Sequence, residues 1–170
     1  MIENSTIISK RSELTEKLGV HLECVDKLAP VAARIVAHLI LVGQHGTTFD
    51  ELVKNLSASK STISTHLNSL QSINRITYFT KTGDRKKYFV VSPTGIIKSM
   101  DNMLEMWEQK KQMHIEIKEY KETYNNLLCN KTQSELEFDL EFHKDYLQYI
   151  NEASASISKI KEKLIKNIKD

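Results

Sequence analysis

Cysteine, proline and glycine are all scarce in this chain: two, two and five of 170 residues. The two cysteines, Cys24 and Cys129, stand far apart, and no CxxC pair exists. That excludes a disulfide framework and a cysteine metal knuckle, and points to free thiols in a reducing compartment. So few glycines and prolines impose few breaks, so long helices are expected. Long hydrophobic runs are also missing. The longest, Ile35 to Gly43, is too short for a bilayer and contains His38. The first ten residues lack the basic start and apolar centre of a signal peptide. A cytoplasmic protein without membrane contact is expected. The histidines, His21, His38, His45, His66, His114 and His143, are scattered without ligand spacing to a cysteine or carboxylate, so no metal is expected. No nucleophile–base pair, phosphate loop or paired acids stand out, so neither catalysis nor a cofactor is expected.

Overall charge is low as well, at +2, but its distribution is uneven. From Lys54 to Lys87 seven bases (Lys54, Lys60, Arg75, Lys81, Arg85, Lys86, Lys87) face one acid, Asp84, a local +6. A basic patch on a nearly neutral chain is the electrostatic footprint of nucleic-acid binding.

The chain reads as mainly α with a small β-hairpin wing: a winged helix-turn-helix core and long C-terminal dimerisation helices. Three regions are expected: 1–28, a tail and helix joining a dimer interface; 29–92, the DNA-binding domain; and 93–170, the helical dimerisation region. Met1 to Ser9 reads as a loose tail. A first helix spans Arg11 to Leu28, with Leu14, Leu18, Leu22 and Val25 at helical spacing. Pro30 restarts the chain into an apolar helix that Gly43 and Gly46 end. Thr48 and Glu51 have capping-box spacing for a short helix to Leu56. Ser59 caps the next helix, which runs to Ile73. Ile76 to Thr82 and Lys87 to Ser92 are β-prone runs joined by a Gly-Asp turn. Pro93 opens a helix to Cys129, and a last helix runs from Ser134 to Ile168. There Tyr146, Ile150, Ala153, Ile157, Ile160 and Leu164 form a four-three seam. Two long apolar stripes beside a small domain predict a homodimer, with Trp107, Ile150, Ile157, Ile160 and Leu164 at the interface.

Within the helix after Ser59, Ile63, Leu67, Leu70 and Asn74 share one face. The opposite face carries Ser61, Thr65, Asn68 and Ser72, flanked by Thr62, Ser64 and Ser69. Ser and Thr are poor choices for a plain solvent face, but they let a helix approach base edges, and Asn suits adenine. Ser59, Lys60, Ser61, Thr62, Ser64, Thr65 and Asn68 are therefore candidate DNA contacts on this helix. Lys60, at the helix start, is placed to clamp phosphate. Arg85 at the hairpin tip is assigned to groove or phosphate, and Lys86 and Lys87 to phosphate. A charged hairpin that merely blocks edge pairing is the plainer alternative. No arginine lies on the reading face, so DNA shape and half-site spacing carry more of the specificity. Arg75 and Lys81 are weaker candidates. Arg34 either pairs with a carboxylate or reaches the DNA backbone. Trp107, Tyr120 and Tyr124 form dimer core or, alternatively, line a ligand cavity.

Residues 28 to 93 resemble the winged-helix core of the MarR superfamily, and more narrowly the GbsR-like regulators of bacteria. Three parts carry the resemblance: Pro30 to Leu39 (PVAARIVAHL), Ser57 to Leu70 (SASKSTISTHLNSL) and Gly83 to Phe89 (GDRKKYF). It implies a homodimeric transcriptional regulator, a repressor of nearby genes, that binds double-stranded DNA at a pseudo-palindromic operator. In the named member of that group a choline-type ligand is sensed through aromatic residues. No such cage matches here residue by residue, so an effector stays unassigned. The competing reading is a winged-helix protein-assembly module with a helical scaffold. It has no need of a +6 segment.

Overall fold

Nine elements follow one another in the computed structural model, which describes residues 2–128 and 138–169. They are α1 (Ile2–Asp26), α2 (Pro30–Val42), β1 (Thr47–Thr48), α3 (Phe49–Asn55), α4 (Lys60–Ser72), β2 (Ile76–Thr80), β3 (Lys87–Val91), α5 (Pro93–Leu128) and α6 (Glu141–Lys169), with one 3-10 turn, Gly43–His45, after α2. The fold is mainly helical with a three-stranded antiparallel sheet in the order β1-β3-β2. Helix α2, strand β1, helices α3 and α4, then a hairpin, is the winged helix-turn-helix arrangement. The turn between α3 and α4 spans residues 56–59, the length such motifs use. The chain divides into two compact units, Met1–Ile96 and Ile97–Asp170.

In the first unit the core is built on α2. Ala33, Ile35, Val36 and Ala37 are fully enclosed, and Leu52 of α3, Ile63, Leu67 and Leu70 of α4, Ile76 of β2 and Phe89 of β3 close around them. The anticipated capping box is present. Glu51 N–H donates to Thr48 Oγ1 (3.4 Å), and Glu51 Oε2 accepts from Thr48 N–H (2.7 Å). The Thr48 backbone N–H is the main cause holding the Glu51 carboxyl below its usual range.

The N-terminal segment differs from expectation. The loose tail of Met1 to Ser9 is replaced, from Ile2 onward, by the first turns of α1. No Gly or Pro interrupts it before Gly19, and Lys10 and Lys17 both grip Glu13 at helical spacing (2.9 and 2.6 Å). Lys17 first, then Lys10, lowers the Glu13 carboxyl to about 2. The packed stripe is also displaced. Thr15 and Leu22 are buried, whereas Leu14 and Val25 face solvent. Thr15 is tolerated there because its hydroxyl donates to the Arg11 carbonyl (2.9 Å).

The hairpin corrects a second expectation. Strand β2 stops at Thr80, two residues short of the expected Thr82, so the connection to β3 is a six-residue loop, Lys81–Lys86. Asp84 organises it. Its N–H donates to the Lys81 carbonyl, its carboxylate accepts from Lys86 N–H (2.9 Å) and the Tyr88 hydroxyl (2.7 Å), and Gly83 takes φ +81°. The two-residue β1 was not foreseen.

In the second unit α5 and α6 run antiparallel. Asp101 pairs with Lys161, His114 meets His143 and Tyr146, and Asn125 bonds the Phe138 backbone. Helix α6 opens at Glu141, where Asp139 accepts from the Glu141 N–H (2.8 Å). The expected start at Ser134 and the cysteine Cys129 lie outside the described residues. Ile150 is buried within the chain, Trp107, Ile157 and Leu164 are half-buried, and Ile160 is exposed. Trp107 has no ring partner among the described residues, while Tyr124 meets Tyr120 and Phe138. No described helix is long and apolar enough to cross a membrane.

Candidate nucleic-acid interface

Helix α4 has two chemically opposite sides. Ile63, Leu67 and Leu70 are sealed in the core at 0–2% exposure. Ser61, Ser64, Thr65, Asn68, Ser69 and Ser72 face solvent, with Thr62 and His66 at the margin. The Ser64, Thr65 and Asn68 side chains have no hydrogen-bond partner among the described residues. Ser59 is differently occupied. Its Oγ accepts from Thr62 N–H (3.1 Å) and lies 2.9 and 2.7 Å from the Ser61 and Thr62 hydroxyls. It thus shapes the helix start beside Lys60 and can present only what remains of its hydrogen-bonding capacity.

Asn74, expected on the buried face of this helix, does not lie on it. The helix ends at Ser72, and Asn74 turns into the left-handed region at φ +57°. Its Oδ1 accepts from Ser92 Oγ (2.9 Å), and its Nδ2 donates to Thr94 Oγ1 (3.1 Å). Ser92 Oγ in turn accepts from Gly95 N–H (3.2 Å), and the Ser92 carbonyl accepts from Ile96 N–H (3.1 Å), capping α5 ahead of Pro93. A Cβ on Gly95 would stand 2.0 Å from the Asn74 carbonyl oxygen, so only glycine fits. This clasp holds the exit of α4. Ser-Pro at a helix start was a visible signal for half of it; Asn74 gave none.

The basic residues divide into those tied to an acid or a ring and those left open to solvent. Arg34 forms ion pairs with Glu16 (2.8 Å) and Glu23. Glu23 first, then Glu16, raises its guanidinium above the usual range. Of the two readings of Arg34, the structure shows the carboxylate pair. Arg75 pairs with Asp26, and its Nε is buried without a partner among the described residues. Lys81 lies over the Tyr88 ring (3.8 Å to the centroid) and Lys87 over Tyr78 (4.2 Å). Lys60, Arg85 and Lys86 are exposed and join no ion pair among the described residues. Cross-strand pairs Phe79–Tyr88 and Tyr78–Phe89 stiffen the hairpin beneath its loop. Sequence reading missed these aromatics and Asp84 as the residues that present Arg85 and Lys86. The Tyr88 hydroxyl, then the Lys86 N–H, keeps the Asp84 carboxyl below its ordinary range, so the brace stays charged.

Among the described residues, no group of three or more His, Cys, Asp or Glu is placed to hold a metal. Cys24 is free and exposed.

No protein-family model and no curated protein matches this sequence. Among solved structures, the chain is similar to a transcriptional regulator at 18% identity, with 92% of this chain and 99% of that one covered and a TM-score of 0.48. It is also similar to a mutant of MepR from S. aureus at 20% identity, with 71% and 91% covered and a TM-score of 0.41. Both scores are below 0.5, so the functional reading rests on the geometry of this chain.

Proposed function

We propose that this protein is a homodimeric, DNA-binding transcriptional regulator of the bacterial cytoplasm, of MarR type and on the GbsR-like branch, that represses nearby genes. The observation that carries the DNA reading is the combination of α4 and the wing. A helix with a sealed apolar back presents unpaired Ser64, Thr65 and Asn68, and the adjacent hairpin presents unpaired Arg85 and Lys86. The helix suits a major groove and the wing the flanking backbone. Ser61, Thr65 and Asn68 read bases. Lys60, Arg85 and Lys86 grip phosphate, with Lys87 contributing from its place over Tyr78. Exposed apolar residues on α1, α5 and α6 support dimerisation, with Trp107, Ile157, Ile160 and Leu164 toward the partner. Two half-sites then read a pseudo-palindromic operator.

Gel shifts on the region upstream of its own gene test this reading. Arg85→Ala with Lys86→Ala should weaken binding across sequences and flatten the slope of log affinity against log salt by about 0.9 for each phosphate no longer neutralised. A wild-type chain that shifts no DNA at low salt removes the reading in favour of a protein-assembly module. Unchanged salt dependence in the double variant removes the wing from the interface.

A further inference from the structure

Helix α6 has two different sides. One is the seam with α5, where Tyr146 and His143 meet His114, Lys161 pairs with Asp101, and Ile150 between them is buried. The other is left uncovered by the described residues. At about 100° per residue, Phe142, Tyr149, Ala153, Ser156 and Ile160 fall on one outer face, and its three large members are exposed. Half-buried Ile157 and Leu164 stand at the edge of this face toward α5.

The outer face is symmetric about its own middle. Phe142 and Asn167, Tyr149 and Ile160, and Ala153 and Ser156 are each equidistant from the point between Ser154 and Ala155. That point falls at the middle of α6, Glu141–Lys169. Large residues thus flank a small centre, and small side chains there let two helices approach closely. Charge follows the same plan on the flank away from α5. Glu141, Asp145 and Glu152 hold its first half, and Lys159, Lys163 and Lys166 its second. All six are exposed, and none joins an ion pair among the described residues. Lys144 and Glu162, opposite in sign to their halves, lie further round the helix.

These features select one occupant. A twofold axis across an antiparallel helix pair sets the same flank of each helix side by side, first half against second. The acids of one chain then meet the lysines of the other, Tyr149 meets Ile160, and Ala153 meets Ser156. A parallel copy would set this flank against the opposite edge of the stripe. Exposed ion pairs add little affinity, so burial of the aromatic and aliphatic stripe supplies attachment, while the charges set direction and choice of partner. We propose that the outer face of α6 docks antiparallel on the same face of a second copy, centred between Ser154 and Ala155, with the bipolar flank selecting that copy. This rests on the homodimer reading above and adds which surface pairs, in what direction, and why with itself.

Sedimentation and native mass spectrometry of the full chain at about 0.15 M salt test it. One variant carries Asp145→Lys with Glu152→Lys, the other Lys159→Glu with Lys163→Glu. All four positions are exposed and clear of the last turns of the helix, so folding is kept, and circular dichroism checks it. Each variant alone should dimerise at least about tenfold more weakly than wild type, and an equimolar mixture should form a heterodimer within about threefold of wild-type affinity. A chain carrying all four reversals keeps the wild-type net charge. It should pair with itself and exclude wild type. Should a lone variant lose helix, this chain decides, because its own charges are complementary. Undiminished dimers of either variant, a mixture without rescue, or free exchange between the four-reversal chain and wild type overturns the α6 surface and leaves a dimer by another route. A monomeric wild type strikes the homodimer reading itself, and this surface with it, and leaves the face to a different partner.

Discussion

The winged-helix core encloses its largest apolar residues, whereas the three long helices bury a few, Leu22 and Ile150 among them, and leave many in water. In the core, Ile35, Val36, Leu52 and Ile63 have no solvent exposure. On the helices, Ile7 and Val25 of α1, Met113 and Tyr120 of α5, and Phe142 and Tyr149 of α6 are all 57–66% exposed. The core residues are satisfied within one chain. The helices carry apolar surface that one chain leaves in water, as surfaces made for a partner do. Under the proposed function, one region holds the reading head in shape and the other sets how many heads act together.

The contrast can be broken first at its strongest point. Ile63→Ala should cost about 2–5 kcal/mol of stability in urea unfolding, as a cavity in a sealed core does. Met113→Ala, made in dilute protein, should stay within about 0.5 kcal/mol, as for a surface change; comparable losses would erase the distinction. Next, Ile157→Asp with Ile160→Asp should convert a dimer to a monomer by sedimentation and reduce affinity for a two-half-site operator by about a hundredfold. The melting of the first unit should be unchanged. A monomeric wild type would leave the exposed stripes without their proposed purpose. Smaller still, Asn68→Ala should relax preference at one base position by about 1–3 kcal/mol; selection returning the wild-type motif counts against its role.

The smallest predicted effect is in pH. His143 packs beside Lys121 and His114, and its imidazole is held below the usual range by burial first, then by those two neighbours. The folded chain keeps it neutral, while the unfolded chain takes up a proton below the ordinary imidazole value of 6.5. Its contribution is therefore complete above pH 6.5 and declines as the solution is acidified below it. Melting of the α5–α6 pair should follow that course, and His143→Gln should reduce it. A melting point that rises on acidification contradicts the assignment.

Much of the reading head was visible in the amino-acid order because its signals are local. Thr48 and Glu51 are three residues apart, Ser59 directly precedes its helix, and Ile63, Leu67 and Leu70 repeat at helical spacing. What sequence reading missed depends on distant partners. The pairing of Arg75 with Asp26 spans 49 positions, and Arg34 reaches back 11 and 18 to Glu23 and Glu16. No neighbour in sequence names these partners, so from sequence Arg75 stands as a weaker candidate for DNA and Arg34 stands between a carboxylate and the DNA backbone. Strand β1 is two residues long, too short to show a period, and exists only because β3 lies beside it. The departure of Asn74 from its helix depends on Ser92 and Thr94, which periodicity cannot foresee. The exposed polar face of α4 was thus legible, and the braces around it were not.

The clasp of Asn74, Ser92, Thr94 and Gly95 bears on which changes in chain length this fold can absorb. Both ends of the hairpin are tied there, and Gly95 leaves no space for a side chain against the Asn74 carbonyl. An inserted or deleted residue between Ser72 and Ile76, or between Val91 and Ile96, would misalign the clasp and swing α4 in the core. The loop Lys81–Lys86 lies beyond both ties, so its length can drift while the ladder below stays in register. Among related chains, insertions in this stretch should therefore collect at the wing tip and be purged at its root. The reach of the basic grip would then be free to diverge while the angle of the reading helix is inherited.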